Sequence, residues 1–146
     1  MRGGTATAHP RETVLHRWFE EVWNQGSEAA IDELMNDDAI VHGIAGPDGK
    51  EITGAAGFKP FFHQFRTAFP DMRFTIEDTL VDGDKIAVRC TVKARHTGPG
   101  VMGAPTGKSA SFSGMCIARI KDGRIVEGWN NFDFLSLYQQ LGMQLN

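Results

Sequence analysis

This chain of 146 residues is defined first by what it lacks. It has two cysteines, Cys90 and Cys116, far apart and in no metal-ligand spacing. Reduced thiols in a cytoplasmic protein are therefore the expectation. His9, His42 and His96 form no metal-binding pattern either, and no metal is inferred. Lys and Arg nowhere cluster and the net charge is -3, which argues against nucleic acid as the main partner. No apolar run approaches the about 20 residues that a membrane span needs. The stretch Met1 to Ala8 has no apolar signal-peptide core, and residues 1–9 read as a flexible lead-in. There is no internal repeat and no low-complexity tract. What remains is 41% hydrophobic and 23% charged, the balance of a folded globular chain. Residues 10–146 are expected to form one domain with a sizeable core.

The strongest positive signal is Ile120-Lys121-Asp122-Gly123-Arg124-Ile125-Val126-Glu127-Gly128-Trp129-Asn130-Asn131-Phe132-Asp133. Asp-Gly between two apolar runs predicts a β-hairpin, because Gly accepts the positive φ of a tight turn. A helical pattern follows from Phe134 to Leu141, so amides and a carboxylate sit where a strand hands over to a helix.

Upstream, Leu15, Trp18, Phe19, Val22 and Trp23 recur at three- and four-residue spacing and predict a helix from about Pro10 to Gln25. Ser27 is a fitting N-cap for a short helix bearing Ile31, Leu34 and Met35. A strand is predicted over Ala39 to Ile44, with Ile40, His42 and Ile44 on one side, then a loop at Gly46-Pro47-Asp48-Gly49. Phe58, Phe61, Phe62, Phe65 and Phe69 mark a third helix over about Ala55 to Phe69, with Pro60 placed near its start. Four strands follow, at about Met72–Val81, Lys85–Thr97, Lys108–Lys121 and Arg124–Phe132. Asp82-Gly83-Asp84 and Asp122-Gly123 make hairpins of the first and last pairs. The Gly/Pro-rich link from Gly98 to Gly107 is either an ordinary surface loop or a lip over a pocket mouth. Helices first and strands afterwards predict an α+β fold, with helices on one face of a curved antiparallel sheet.

Strand alternation sorts the faces. Ile86, Val88, Cys90, Val92, Ala94 and His96 must face the helices, since the opposite set carries Arg89, Lys93 and Arg95. Phe112, Gly114, Cys116, Ala118 and Ile120 match them on the next strand, and Val126, Gly128, Asn130 and Phe132 on the last. A bulge would flip this assignment. Met115, Ile117, Ile125 and Trp129 then point away from the core, among Arg119 and Glu127. A sheet apolar on both faces needs a second cover, and a homodimer through the outer face supplies it.

The helix-helix-strand-helix start, the Ala68-Phe69-Pro70-Asp71-Met72-Arg73 junction and the Asp122-to-Trp129 hairpin resemble the SnoaL-like polyketide cyclase (ester cyclase) family of the NTF2-like group. The His96-Thr97-Gly98 to Pro105-Thr106-Gly107-Lys108 loop and the Gln140-Leu141-Gly142 ending are similar too. The resemblance implies a cone-shaped α+β barrel, commonly dimeric, with an apolar pocket and a C-terminal helix. It implies cofactor-free aldol ring closure of polyketide esters. It also implies an acid/base Asp after the hairpin Trp and a His across the hairpin, positions held here by Asn130 and Cys116.

Asp133 is the nearest carboxylate to that site and reads either as a general base or as the N-cap of the last helix. Asn130 could donate to a carbonyl or enolate oxygen, or bond its neighbouring backbone. His96 and His42 are the reserve acid/base groups, or simply satisfied histidines; His63 is expected to face solvent. Trp18, Phe62, Phe65, Met102, Phe112 and Cys116 are the expected lining of a pocket for a hydrophobic small molecule, though each also reads as core. Two other functions fit the same fold: a non-catalytic binding module for such a molecule, and a limonene-type epoxide hydrolase. The hydrolase needs two carboxylates bridged by an Arg, for which Asp78 and Asp133 are the candidate acids.

Overall fold

The computed structural model describes residues 13–101 and 103–143. The expected lead-in, Pro10 at the first helical turn and Met102 at the pocket lie outside the described residues. The first helix, α1, is Val14–Arg17, capped by Thr13, whose hydroxyl accepts from the His16 amide. It continues as a π-helical segment, Trp18–Asn24. Ser27 caps α2, Glu28–Leu34, through the Ala30 amide. Met35, expected at the end of that helix, already has extended backbone and opens strand β1, Met35–Ala45. After the Gly46–Gly49 turn come a short strand that periodicity did not reveal, β2, Glu51–Thr53, and helix α3, Gly54–Ala68. Pro60 sits in the body of α3, beyond its first turn. Strands β3, Arg73–Asp82, β4, Lys85–Arg95, β5, Ser109–Lys121, and β6, Arg124–Phe132, precede α4, Phe134–Gln140.

The six strands form one curved, unclosed sheet in the order β2-β1-β6-β5-β4-β3. Both hairpins and the β4–β5 pair are antiparallel, as expected. The sheet as a whole is mixed, however, because β1 runs parallel to β6, with Val41 opposite Gly128 and His42 opposite Trp129. The cone is therefore an open sheet, not a closed antiparallel barrel.

The helices and the π segment cover one face of the sheet, and the core fills the space between. Leu15, Trp18, Phe19, Val22 and Trp23 are all buried, as are Phe58, Phe61, Phe62, Phe65 and Phe69. Ile86, Val88, Cys90, Val92, Ala94 and His96 are buried together on β4, and Phe112, Cys116 and Ala118 on β5. One face assignment needs correction. The pairing slips between Arg119 and Ile120, so that Ile120 faces Ile125 while Arg119 faces Glu127. This bulge takes up Val126 and turns Ile125 into the core.

Candidate functional site

The curved sheet and the helices leave a cavity of about 50 Å³. Three segments supply its aromatic wall. The π segment gives Trp18, Phe19 and Trp23, α3 gives Phe58, Phe61 and Phe65, and the sheet with α4 gives Phe74, Phe112, Phe132 and Phe134. A π-helix bonds i to i+5, so Trp18 and Trp23 lie one turn apart and face the same way. Phe58 touches both, edge-on, with ring centroids 5.0 Å from Trp18 and 5.9 Å from Trp23. Phe61 stacks obliquely on Phe65 at 4.7 Å, and Phe65 meets Phe134 at 5.8 Å. Gly114 makes this wall possible on the sheet side. A Cβ there would lie 2.2 Å from the Phe132 ring, so only glycine lets that ring lie against β5. Ile44 and Met72 complete the apolar lining.

Asn130 is the polar side chain in this wall. Its Nδ2 donates to the His42 carbonyl at 3.0 Å. That contact depends on Gly43, whose φ of +88° and missing Cβ let β1 pass against the Asn130 backbone; a Cβ would lie 1.9 Å from its carbonyl oxygen. A primary amide has two N–H donors and a carbonyl acceptor. Among the described residues, no further hydrogen bond engages the second N–H or Oδ1. Directly across the hairpin from Asn130 is Cys116, as the resemblance requires. Cys116 opens into a second, inner cavity of about 30 Å³, which Asn130 also lines. Burial pushes the Cys116 thiol up to about 12, with nearby Cys90 adding to the shift, so it is held neutral.

The other expected acid/base groups lie elsewhere. Asp133 is exposed and caps α4, its Oδ1 accepting from the Ser136 amide at 3.0 Å. It lines neither cavity, so the general-base reading loses its geometry. His96 is 0% exposed and holds the two ends of the Thr97–Gly107 loop together. Its Nδ1 accepts from the Thr106 amide at 3.1 Å and its Nε2 donates to the Gly100 carbonyl at 3.3 Å. Both ring nitrogens are therefore used. His42 faces outward, against the expectation that it shares a side with Ile44. The strand turns at Gly43, so Ile44 reaches the cavity while His42 pairs with Glu127 at 2.8 Å and stacks on Trp129. His63 is exposed and meets Glu28, as expected. Asp78 bonds Arg89 on the outer side at 2.8 Å, so the two-carboxylate arrangement of an epoxide hydrolase is not assembled.

Of the expected lining, Trp18, Phe65 and Phe112 border the outer cavity and Cys116 the inner one. Phe62 does not. It packs behind Trp23, with centroids 5.5 Å apart. Sequence reasoning missed Trp23, Phe74, Phe132 and Phe134 as lining. The inward alternation already placed Phe132 on this face, and the others belong to apolar runs that point there. Among the described residues, no carboxylate or imidazole lines either cavity.

An open α+β sheet wrapped by helices around an aromatic cavity is the NTF2-like fold. A protein of Catenulispora acidiphila with a ketosteroid isomerase-like fold, solved with trimethylamine, shares it at a TM-score of 0.75 and 14% identity, over 94% of this chain and 96% of that one. Nearer in sequence are two solved structures. IdmH, a candidate polyketide cyclase from Streptomyces antibioticus, is 29% identical over 92% of this chain and all of its own, with a TM-score of 0.76. A candidate polyketide cyclase from Bacillus cereus is 30% identical over 90% of this chain and 80% of its own, with a TM-score of 0.74. No curated protein matches the sequence. Residues 13–141 match the profile of the SnoaL-like polyketide cyclases, and the chain belongs to that family.

Proposed function

We propose that the protein takes a hydrophobic carbonyl compound into the aromatic cavity and promotes its aldol-type ring closure. The observation that carries this reading is Asn130, a half-used amide set in an otherwise apolar wall. An enolate forming there meets an N–H donor in a site of low dielectric, where such a bond is strong. In the ring closure an enolate carbon attacks a second carbonyl carbon. With no carboxylate or imidazole among the described lining residues, water admitted with the ligand takes the proton from carbon and returns one to the new alkoxide, so atoms balance without oxidant or reductant. The aromatic wall contributes by holding an apolar chain folded with the two carbons close. The cavity as it stands is far smaller than the about 300–1,000 Å³ of typical ligand pockets, so a ligand of that size requires the wall to open.

A second reading, a carrier that only sequesters such a compound, is favoured because no carboxylate or imidazole is found in the lining among the described residues. Hydrogen–deuterium exchange alpha to the carbonyl of a bound aryl ketone separates the two. Faster exchange with wild type, lost in Asn130→Leu, supports the enzyme. Binding without accelerated exchange supports the carrier.

For assembly, we propose a homodimer through the outer sheet face. Ile40, Met115 and Ile117 are 42%, 58% and 41% exposed there, around a half-buried Trp129. Apolar side chains gathered on one face gain by being covered.

A further inference from the structure

On the outer face of the sheet, the ends of β3, β4 and β5 form an open groove of about 480 Å³. It shares no lining residue with the aromatic cavity. Arg73, Lys93 and Arg95 line it against one carboxylate, Asp71, in a chain whose net charge is -3. We propose that this groove binds a diphosphate group, free or esterified.

Strand register sets the cations side by side. Arg73 on β3 lies directly opposite Lys93 on β4, and Arg95 is the next outward residue along β4. Facing positions on antiparallel strands are about 4.5–5.5 Å apart, and like charges there destabilise the pair. Two residues along a strand add about 7 Å. Elsewhere on this face, facing charges are of opposite sign. Asp78 faces Arg89 in a 2.7 Å ion pair, and Arg119 faces Glu127 in one of 3.7 Å. The face neutralises charge at one end and accumulates it at the other.

These cations are also uncommitted. Among the described residues, no ion pair engages Lys93 or Arg95. Arg95 donates its Nε to the Gly107 carbonyl at 3.0 Å, which anchors the guanidinium and leaves its two terminal amines. Arg73 reaches Glu20 at 3.9 Å, a carboxylate that already accepts from Asn24 and Gln25. Asp71 accepts from the Arg95 amide. Ser111 faces Lys93 and Ser109 faces Arg95, which adds two hydroxyls. Gln140 clasps the Ser111 backbone at 2.9 and 2.8 Å and fixes that wall. A carboxylate presents two oxygens in one plane, which a single guanidinium satisfies. Three cations spread over about 5–7 Å match an anion of about three charges with oxygens on all sides, and a diphosphate is such an anion. The groove lies about 13 Å along β5 from Met115, outside the apolar patch proposed to pair.

Calorimetric titration without divalent metal, in low salt where exposed charges are least screened, tests this. The probes are pyrophosphate, ADP, malonate and a hexaglutamate peptide. Wild type should bind pyrophosphate at least about tenfold more tightly than malonate. Lys93→Gln should weaken pyrophosphate about tenfold, the low end for loss of a charge-assisted hydrogen bond. Arg89→Gln removes a cation already paired on the same face and should change the affinity less than about twofold. ADP binding at least as tightly as pyrophosphate supports an esterified occupant, and weaker binding supports the free ion. Equal losses in Lys93→Gln and Arg89→Gln overturn the site, leaving only diffuse attraction. Malonate binding as tightly as pyrophosphate overturns it, as does tighter binding of the peptide, which would make the groove a docking surface for an acidic protein. Absence of pyrophosphate binding to wild type overturns it too and leaves the reading of the aromatic cavity untouched.

Discussion

Asp133 and Asn130 stand three residues apart, and the backbone gives them opposite roles. Asp133 follows the last strand residue, so its carboxylate accepts from the Ser136 amide in the first turn of α4. Asn130 is two strand steps earlier on the inner face, so its amide enters the cavity. Asp133→Ala should lower stability by about 0.5–2 kcal/mol in urea unfolding, the usual worth of an N-cap. Asp133→Asn should be close to neutral, since Asn caps as well as Asp, and ligand binding should be unchanged in both. The thiols give a pH signature. Burial pushes Cys90 and Cys116 from an ordinary value of 9.0 up to about 12. Between those values the unfolded chain has lost protons that the folded chain keeps. Stability is therefore complete below about 9 and falls as pH rises toward about 12. Urea midpoints of wild type should drop more steeply over that window than those of a Cys90→Ala, Cys116→Ala double variant. Neither thiol should react with iodoacetamide in the native protein near pH 8.

Among the elements, the π segment and the strand ends carry what the pattern of residues did not disclose. Three- and four-residue spacing identified the buried face over Leu15 to Trp23, and that face is buried. It could not tell an α turn from a π turn, because Trp18 and Trp23 satisfy either as part of one apolar stripe. The π turn is held at its far end by Asn24. Its Oδ1 accepts from the Phe74 amide at 2.7 Å and its Nδ2 donates to the Phe74 carbonyl at 3.0 Å, so this side chain pairs with edge strand β3 like a neighbouring strand. Gln140 does the same for Ser111 on β5, beyond the reach of β6. Asn24→Ala should cost about 1–3 kcal/mol, two hydrogen bonds at about 0.5–1.5 each, measured by urea unfolding. The strand alternation of β4 and β5 was legible because nothing interrupts it. That of β1 and β6 was not, because Gly43 and the bulge at Val126 each shift the phase, sending His42 outward and Ile125 inward.

For the whole molecule, α+β class, hairpins and helix order followed from local signals, since Asp-Gly turns and apolar periods act over a few residues. The parallel pairing of β1 with β6 joins segments more than 80 positions apart, and no local pattern records it. The outer face it helps to build should bury against a second copy. Sedimentation should give a dimer at micromolar concentration, and Met115→Glu with Ile117→Glu should give a folded monomer; a wild-type monomer would contradict the proposal. The central claim is that ligand chemistry lies at Asn130 inside the aromatic wall, not at the carboxylate and imidazoles around it. Nitrogen-15 NMR of the side chains during titration with acetophenone tests it most directly. The expected result is shifts of the Asn130 amide and of the Trp18 and Trp23 indoles, with the His42 and His96 rings unmoved. Shifts centred on His42, His96 or the amides that Asp133 caps, with Asn130 and both indoles silent, would contradict it.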